Sequence, residues 1–207
     1  ICQGNTINSP LNFTYSGGTG TSTIAWYLNA APPVLMNGVT TASFLPVPFN
    51  VADTFFYYAT LSFDGVGCNS VSTQQAEIIV HPTPYALNLN DTIVVCNHGN
   101  LAIPLTATVT STFVWHTTNN PSVTGESFIN QTSYSIDDSL NNNSTNPQFL
   151  TYTVTPTSFP YGCVGPDSIV TVQVQPDVIL SMNTNMEICS DSPVNAILSS
   201  NIPSTFS

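Results

Sequence analysis

The five cysteines of this chain fall on a period. They are Cys2, Cys68, Cys96, Cys163 and Cys189. Cys2 to Cys96 is 94 residues and Cys96 to Cys189 is 93, while Cys2 to Cys68 is 66 and Cys96 to Cys163 is 67. The residues around them keep the same register. Phe55, Tyr57 and Ala59 precede Cys68 by the distances at which Leu150, Tyr152 and Val154 precede Cys163. Ala76, Ile78 and Val80 stand before Pro82 as Val170, Val172 and Val174 stand before Pro176, and each unit carries one tryptophan, Trp26 and Trp115. A fixed self-similar period marks an array of like units, each too small to be more than one domain. The register divides the chain into 1–82, a first repeat lacking its first strand, 83–176, a second repeat, and 177–207, the truncated start of a third. "STFS" at 204–207 matches "STFV" at 111–114, so the sequence reads as a window on a longer array.

Within each unit the strong segments alternate with period two. "TFFYYATLSF" places Phe55, Tyr57, Ala59, Leu61 and Phe63 on one face, "LTYTVTP" sets Leu150, Tyr152 and Val154 against threonines, and "SIVTVQVQP" alternates Val170, Val172 and Val174. Such runs, rich in β-branched and aromatic residues, are half-buried strands. No helical stripe competes with them. Sixteen prolines and eleven glycines cut the chain into short strands about ten residues apart, which predicts an all-β chain of two β-sandwiches with roughly seven strands each. The linkers "HPTPY" (81–85) and "QPDV" (175–178) are short, and proline stiffens both, so an extended rod is expected.

Charge removes whole classes of function. There are 11 acidic residues, no Lys or Arg, and a formal net charge of −11. Without cations the chain cannot neutralise phosphates, which excludes nucleic acid as a partner. It has no Lys or Arg ion pair, so stability must come from burial, hydrogen bonds and crosslinks. It also offers trypsin-like proteases no cleavage site. No run of about 18 apolar residues is present to enter a membrane. The start at Ile1-Cys2 has no basic-then-apolar character and suggests a processed or excerpted piece.

One cysteine pair per repeat, with no CxxC and only scattered His, reads as a disulfide framework rather than a metal site. Two pairings are open. In the first, each repeat closes on itself, Cys2 with Cys68 and Cys96 with Cys163, each worth about 4 kcal/mol by loop entropy, with Cys189 pairing beyond Ser207. In the second, the two cysteines of a repeat lie at opposite ends of its sandwich, and Cys2 reaches Cys163 of the next repeat.

The motifs "VCNHGNLAIPLTATVTSTFVWHTT", "SVTGESFINQTS" and "YTVTPTSFPYGCVGPDSIVTVQVQP" together resemble the PKD-like and immunoglobulin-like repeats of giant type IX-secreted surface adhesins of Bacteroidota, such as those of gliding motility. The resemblance covers nearly all of the second repeat and the start of the third through "ICSDSPVNAILSS". It extends more loosely to the first through "AWYLN", "YYATLSFDGVGC" and "AEIIVHPTP". It implies tandem immunoglobulin-like/PKD-like sandwiches in an extended array, at the cell surface, forming a stalk or filament with no catalytic residues and no cofactor. Neighbouring repeats of the same chain are the expected partners, with surface glycans or other cells beyond them. The competing reading is a carbohydrate-binding accessory module of a secreted enzyme. Asp91-Thr92-Ile93, Asp138-Ser139-Leu140 and Asp167-Ser168-Ile169 resemble the O-glycosylation acceptor pattern of such exported proteins, which makes Thr92, Ser139 and Ser168 candidate glycan sites; Asp53-Thr54-Phe55 is a marginal fourth.

Other residues are read more plainly. Asp137 and Asp138 lie in "SIDDSLNNNSTN", expected to be a solvated loop rather than a catalytic pair or a calcium site. His81, His98 and His116 share no spacing and are expected at the surface. Phe55, Phe56, Tyr57 and Tyr58 could stack on sugar, but their register favours the core. An enzyme needs convergent titratable groups, and no His or carboxylate recurs in both repeats, so no catalysis is expected.

Overall fold

The computed structural model of the chain describes residues 1–65, 70–89, 92–182, 187–194 and 196–205. Every regular element among them is a strand, and the strands gather into two units.

The first unit comprises Ile1–Thr83 together with Pro160–Cys163. Its strands are β1 (Leu11–Asn12), β2 (Ser22–Leu28), β3 (Val34–Leu35), β4 (Ser43–Phe44), β5 (Thr54–Phe63), β6 (Val71–Ser72) and β7 (Ala76–Ile79). The large sheet runs β3-β2-β5, with β6 and β7 both pairing β5, and β1 pairs β4 in a smaller one. The alternation in "TFFYYATLSF" decides which way β5 faces. Tyr57, Ala59 and Leu61 are buried with Ile24 and Trp26 of β2, and Phe55 and Phe63 pack against the same core. Trp26 lies opposite Ala59 in the register. The small residue there leaves room for the indole, which meets Phe44 at 5.4 Å and donates its N–H to Thr41 O at 2.9 Å.

The second unit comprises Pro84–Phe159 and Val164–Ser207. Its strands are β8 (Ala86–Leu87), β9 (Thr92–Val95), β10 (Gly99–Asn100), β11 (Ile103–Pro104), β12 (Thr106–Ala107), β13 (Ser111–Thr117), β14 (Val123–Thr124), β15 (Ser135–Ile136), β16 (Ser139–Asn142), β17 (Gln148–Ser158), β18 (Ser168–Val174), β19 (Leu180–Met182) and β20 (Leu198–Ser200). One sheet has the order β13-β17-β18-β9, with β9 parallel to β18 and the rest antiparallel. The shorter pairings β10-β16-β14, β11-β15 and β12-β8 supply the opposing side. Leu150, Tyr152 and Val154 from β17 and Val170, Val172 and Val174 from β18 meet Leu101, Leu105, Val123, Ile136 and Leu140 across the core. Trp115 stands opposite Val154, as Trp26 stands opposite Ala59, and its N–H also finds a backbone carbonyl, Ser133 O at 3.3 Å. The repeat seen in sequence is thus a repeat of strand register.

One expectation is corrected here. Asp138 does not share a solvated loop with the exposed Asp137 but is buried beside β16. Its carboxylate accepts the Tyr152 hydroxyl at 2.7 Å, the Ser127 N–H at 2.8 Å and the Ser127 hydroxyl at 2.7 Å. A buried carboxylate is tolerated where donors replace water, and three do so here. The sequence hides this because its donors come from residues 11 and 14 positions away.

Burial raises the pKa of the Tyr152 phenol strongly, and the neighbouring Asp138 and Glu126 carboxylates add to that. The neutral phenol is therefore the form the fold requires. Its contribution is complete below the unfolded tyrosine pKa of about 10 and is lost as pH climbs beyond it. Denaturant unfolding of the second unit is expected to show stability falling above about pH 10. Tyr152→Phe should cost about 1–3 kcal/mol at neutral pH by removing a donor from buried Asp138, and should flatten that alkaline fall. An alkaline limb unchanged in the variant would refute the assignment.

Candidate functional site

The crosslink begins with a short parallel pairing. Cys2 bridges His81 in parallel, the His81 N–H donates to Ile1 O at 2.8 Å, and the Gln3 N–H donates to His81 O at 2.9 Å. The first residues of the chain thereby run alongside the end of the last strand of the first unit. The second unit repeats the arrangement: β9 pairs in parallel with β18, and the Gln175 N–H donates to Val95 O at 2.8 Å. In each unit the leading cysteine therefore sits beside the C-terminal end of a strand, β7 in the first and β18 in the second.

The other cysteine of the second repeat belongs to the hairpin loop that enters β18. Cys163 lies between β17 and β18, and Cys68 lies between β5 and β6 outside the described residues. The length of β18, from Ser168 to Val174, separates the loop of Cys163 from Cys96. At about 3.3 Å per residue that is roughly 20 Å, whereas a disulfide spans Cα atoms only about 4–7 Å apart. Closure of Cys96 on Cys163 is thus ruled out by the strand that lies between.

The bond that forms joins Cys2 to Cys163, with Cα atoms 5.5 Å apart and a sequence separation of 161. This corrects the within-repeat expectation: neither Cys2–Cys68 nor Cys96–Cys163 is made, and Cys96 and Cys189 are free and exposed. The tip Pro160–Cys163 belongs to the first unit although both of its flanking strands belong to the second. Cys163 is 1% exposed. Next to the bond, the Tyr161 ring stacks on the His81 imidazole at 3.5 Å and 10°. Nothing in the sequence flagged this pair, because the two rings are 80 residues apart and neither recurs in the repeat pattern.

Two glycines shape the loop. Gly162 has φ 72°, a conformation L side chains rarely adopt. Gly165 donates its N–H to Pro156 O at 2.8 Å, and a Cβ there would lie 2.0 Å from Pro84 O.

The remaining candidates do not converge. Thr92 is exposed on β9, though its Asp91 lies outside the described residues; Ser139 is exposed on β16; Ser168 is half-buried at the start of β18, and Asp167 accepts a hydrogen bond from the Thr155 hydroxyl. Phe206, which aligns the last segment with the second repeat, also lies outside the described residues. His98 is 3.8 Å from Asp177 at the surface, and His116 is half-buried on β13. Among the described residues no group of three His, Cys, Asp or Glu could hold a metal ion. No described helix is long and apolar enough to cross a membrane. The rings of Tyr57 and Phe55 turn into the core, while Tyr58 stacks on Tyr27 at 5.2 Å on the other face of the sheet.

The fold defines the class: the chain is built of immunoglobulin-like β-sandwiches. A three-repeat fragment of mouse cadherin-23 (EC22-24) matches 97% of the chain and 73% of its own length with a TM-score of 0.50 at 11% identity. Weaker likenesses include human CDH23 EC21-23 (86% of this chain, 74% of that one, TM-score 0.41, 10% identity) and the fibronectin(III)-like modules of Clostridium thermocellum CbhA (79% and 83%, TM-score 0.29, 13% identity). More particularly, residues 93–178 match the PKD-like domain family. No curated protein is similar to the chain in sequence. Domains of these folds are typically non-catalytic, and the match is consistent with a structural or adhesion module. A disulfide is kept in oxidising surroundings, and together with the PKD-like match it points to an extracellular domain.

By loop entropy a crosslink of this span is worth about 5 kcal/mol, a large share of the about 5–15 kcal/mol that holds a typical domain. Cys163→Ser is expected to lower the melting temperature of the first unit, and reduction of the wild type should lower it equally. Equal melting of oxidised and reduced protein would contradict this.

Proposed function

We propose that the chain is a non-enzymatic stalk segment of a large, repetitive extracellular adhesin or surface filament, at the cell surface, of the type IX-secreted gliding-adhesin kind that its motifs resemble. The observation that carries the reading is the Cys2–Cys163 bond. A repeat used only for binding gains stability alone from closing 161 residues of chain. A repeat that transmits tension gains a great deal, because load entering before Cys2 crosses the disulfide and leaves after Cys163. The chain between them is shielded from stretching. At up to about 3.5 Å per residue, the hidden length is on the order of 550 Å. The partners in this reading are neighbouring repeats of the same chain, with glycans or other cells engaged elsewhere in the protein.

Single-molecule pulling from the two ends tests the proposal. Oxidised protein should extend by only the segments outside the bond, and reductant should release roughly 550 Å more. Equal extension with and without reductant would overturn it.

The acceptor-like motifs belong to the same reading, with glycans expected at Thr92, Ser139 and Ser168 in protein from its own host. Thr92 and Ser139 are exposed, and the half-buried Ser168 would be the least fully modified. Peptide mass mapping decides this, and unmodified peptides at all three positions would remove the glycan assignment.

A further inference from the structure

The leading cysteine of each repeat opens the same turn. The Asn5 N–H donates to Cys2 O at 3.1 Å, the Gly99 N–H to Cys96 O at 3.0 Å, and the Ser192 N–H to Cys189 O at 3.2 Å. The residue two after each cysteine is left-handed: Gly4 at φ 87°, His98 at 59° and Asp191 at 66°. A turn of this kind requires positive φ at its third position, and non-glycine residues rarely adopt it. That His98 and Asp191 do so shows the turn being kept where the side chain disfavours it. The strand pairing before the turn is kept as well, since Gln175 binds Val95 O as His81 binds Ile1 O, each at 2.8 Å. Cys96 therefore stands in the backbone setting that Cys2 occupies when bonded. The two differ in cover: Cys2 is half-buried with its bond made, and Cys96 is exposed with its thiol free.

The second half of the bond recurs too. Cys163 follows Gly162 at the hairpin tip, and at the equivalent position of the first repeat's sequence Cys68 follows Gly67.

From this matched setting we infer that Cys96 forms a disulfide with the hairpin-loop cysteine of the repeat that follows the second one in the same polypeptide. The inference rests on the repetitive-stalk reading. Cys68, by the same rule, pairs with the leading cysteine of a preceding repeat, and Cys189 with the loop cysteine of the repeat that follows its own. In each bond two thiols lose two protons and two electrons to form one S–S bond. The electrons and protons go to an oxidised thiol–disulfide oxidoreductase, whose own disulfide becomes a dithiol. Every bond then skips over the leading cysteine of the next repeat, so the bonds interleave along the chain. Tension can follow either of two covalent tracks: one through Cys2, Cys163 and Cys189, the other through Cys68 and Cys96.

Non-reducing peptide mapping of the full-length protein from its host tests the inference, with alkylation of free thiols before digestion. Cys96 should resist alkylation until reductant is added, and its peptide should be linked to a loop peptide of the next repeat. In a full-length Cys96→Ser variant, that loop cysteine alone should become alkylatable. Alkylation of Cys96 without reductant, with Cys2–Cys163 intact, would overturn the inference and leave the stalk reading standing. A Cys96–Cys163 or Cys96–Cys68 peptide would overturn it also, as would a link between separate polypeptides that doubles the mass under denaturing, non-reducing conditions. Loss of the Cys2–Cys163 peptide as well would overturn both readings.

Discussion

The parallel pairing that precedes each leading cysteine governs much of what this chain can do. In the second unit β9 lies along β18, and in the first Cys2 lies along His81. A parallel pair begins at one end of a sheet and finishes at the other. The hairpin that feeds β18 is necessarily at its starting end, and Cys96, which follows β9, is at the finishing end. No side-chain movement brings them together, because the strand between them is fixed by its own hydrogen bonds. The second repeat cannot staple Cys96 to Cys163, and Cys2 takes its partner from the hairpin of the following repeat.

The sandwiches hold without cations. With no Lys or Arg in the chain, side-chain interactions are hydrogen bonds, aromatic packing and aliphatic burial. The indoles of Trp26 and Trp115 donate to backbone carbonyls. Asp138 is satisfied by a hydroxyl, a backbone N–H and a phenol rather than by a guanidinium. Asn142 serves the same purpose on the other side, donating to Asn146 O and Val174 O at 2.9 Å each. The bonds of the indoles and Asn142 carry no net charge to be screened and the Asp138 carboxylate is buried, so salt should weaken them less than it weakens surface ion pairs.

The fold was legible because the strands are long and alternate cleanly. Tyr152 and Val154 point inward for the reason that Thr151 and Thr153 point outward, and no tertiary information is needed to see it. The tryptophans were legible as equivalents even though they lie 24 and 19 residues after their cysteines, because the segment between is loop and tolerates length change. The pairing of the cysteines was less legible. The period identifies which cysteines are equivalent but not which end of the sandwich each one occupies. That depends on β9 being parallel to β18, and strand direction leaves no mark on a period-two pattern. The Tyr161–His81 stack and the burial of Asp138 were invisible for a related reason: each depends on residues brought together only after the sheets form.

The 161-residue span of the Cys2–Cys163 bond also sets an order of events. Cys2 meets Cys68 and Cys96 in the nascent chain before Cys163 exists, since all three are made before it. An oxidant acting on the unfolded chain would favour those nearer partners, whose loops close at lower entropic cost. The native bond therefore depends on folding coming first. The first unit must hold Cys2 beside His81, and the second must form the hairpin that carries Cys163. Oxidation then records a structure already assembled, and a chain oxidised too early would be trapped with its repeats closed on themselves.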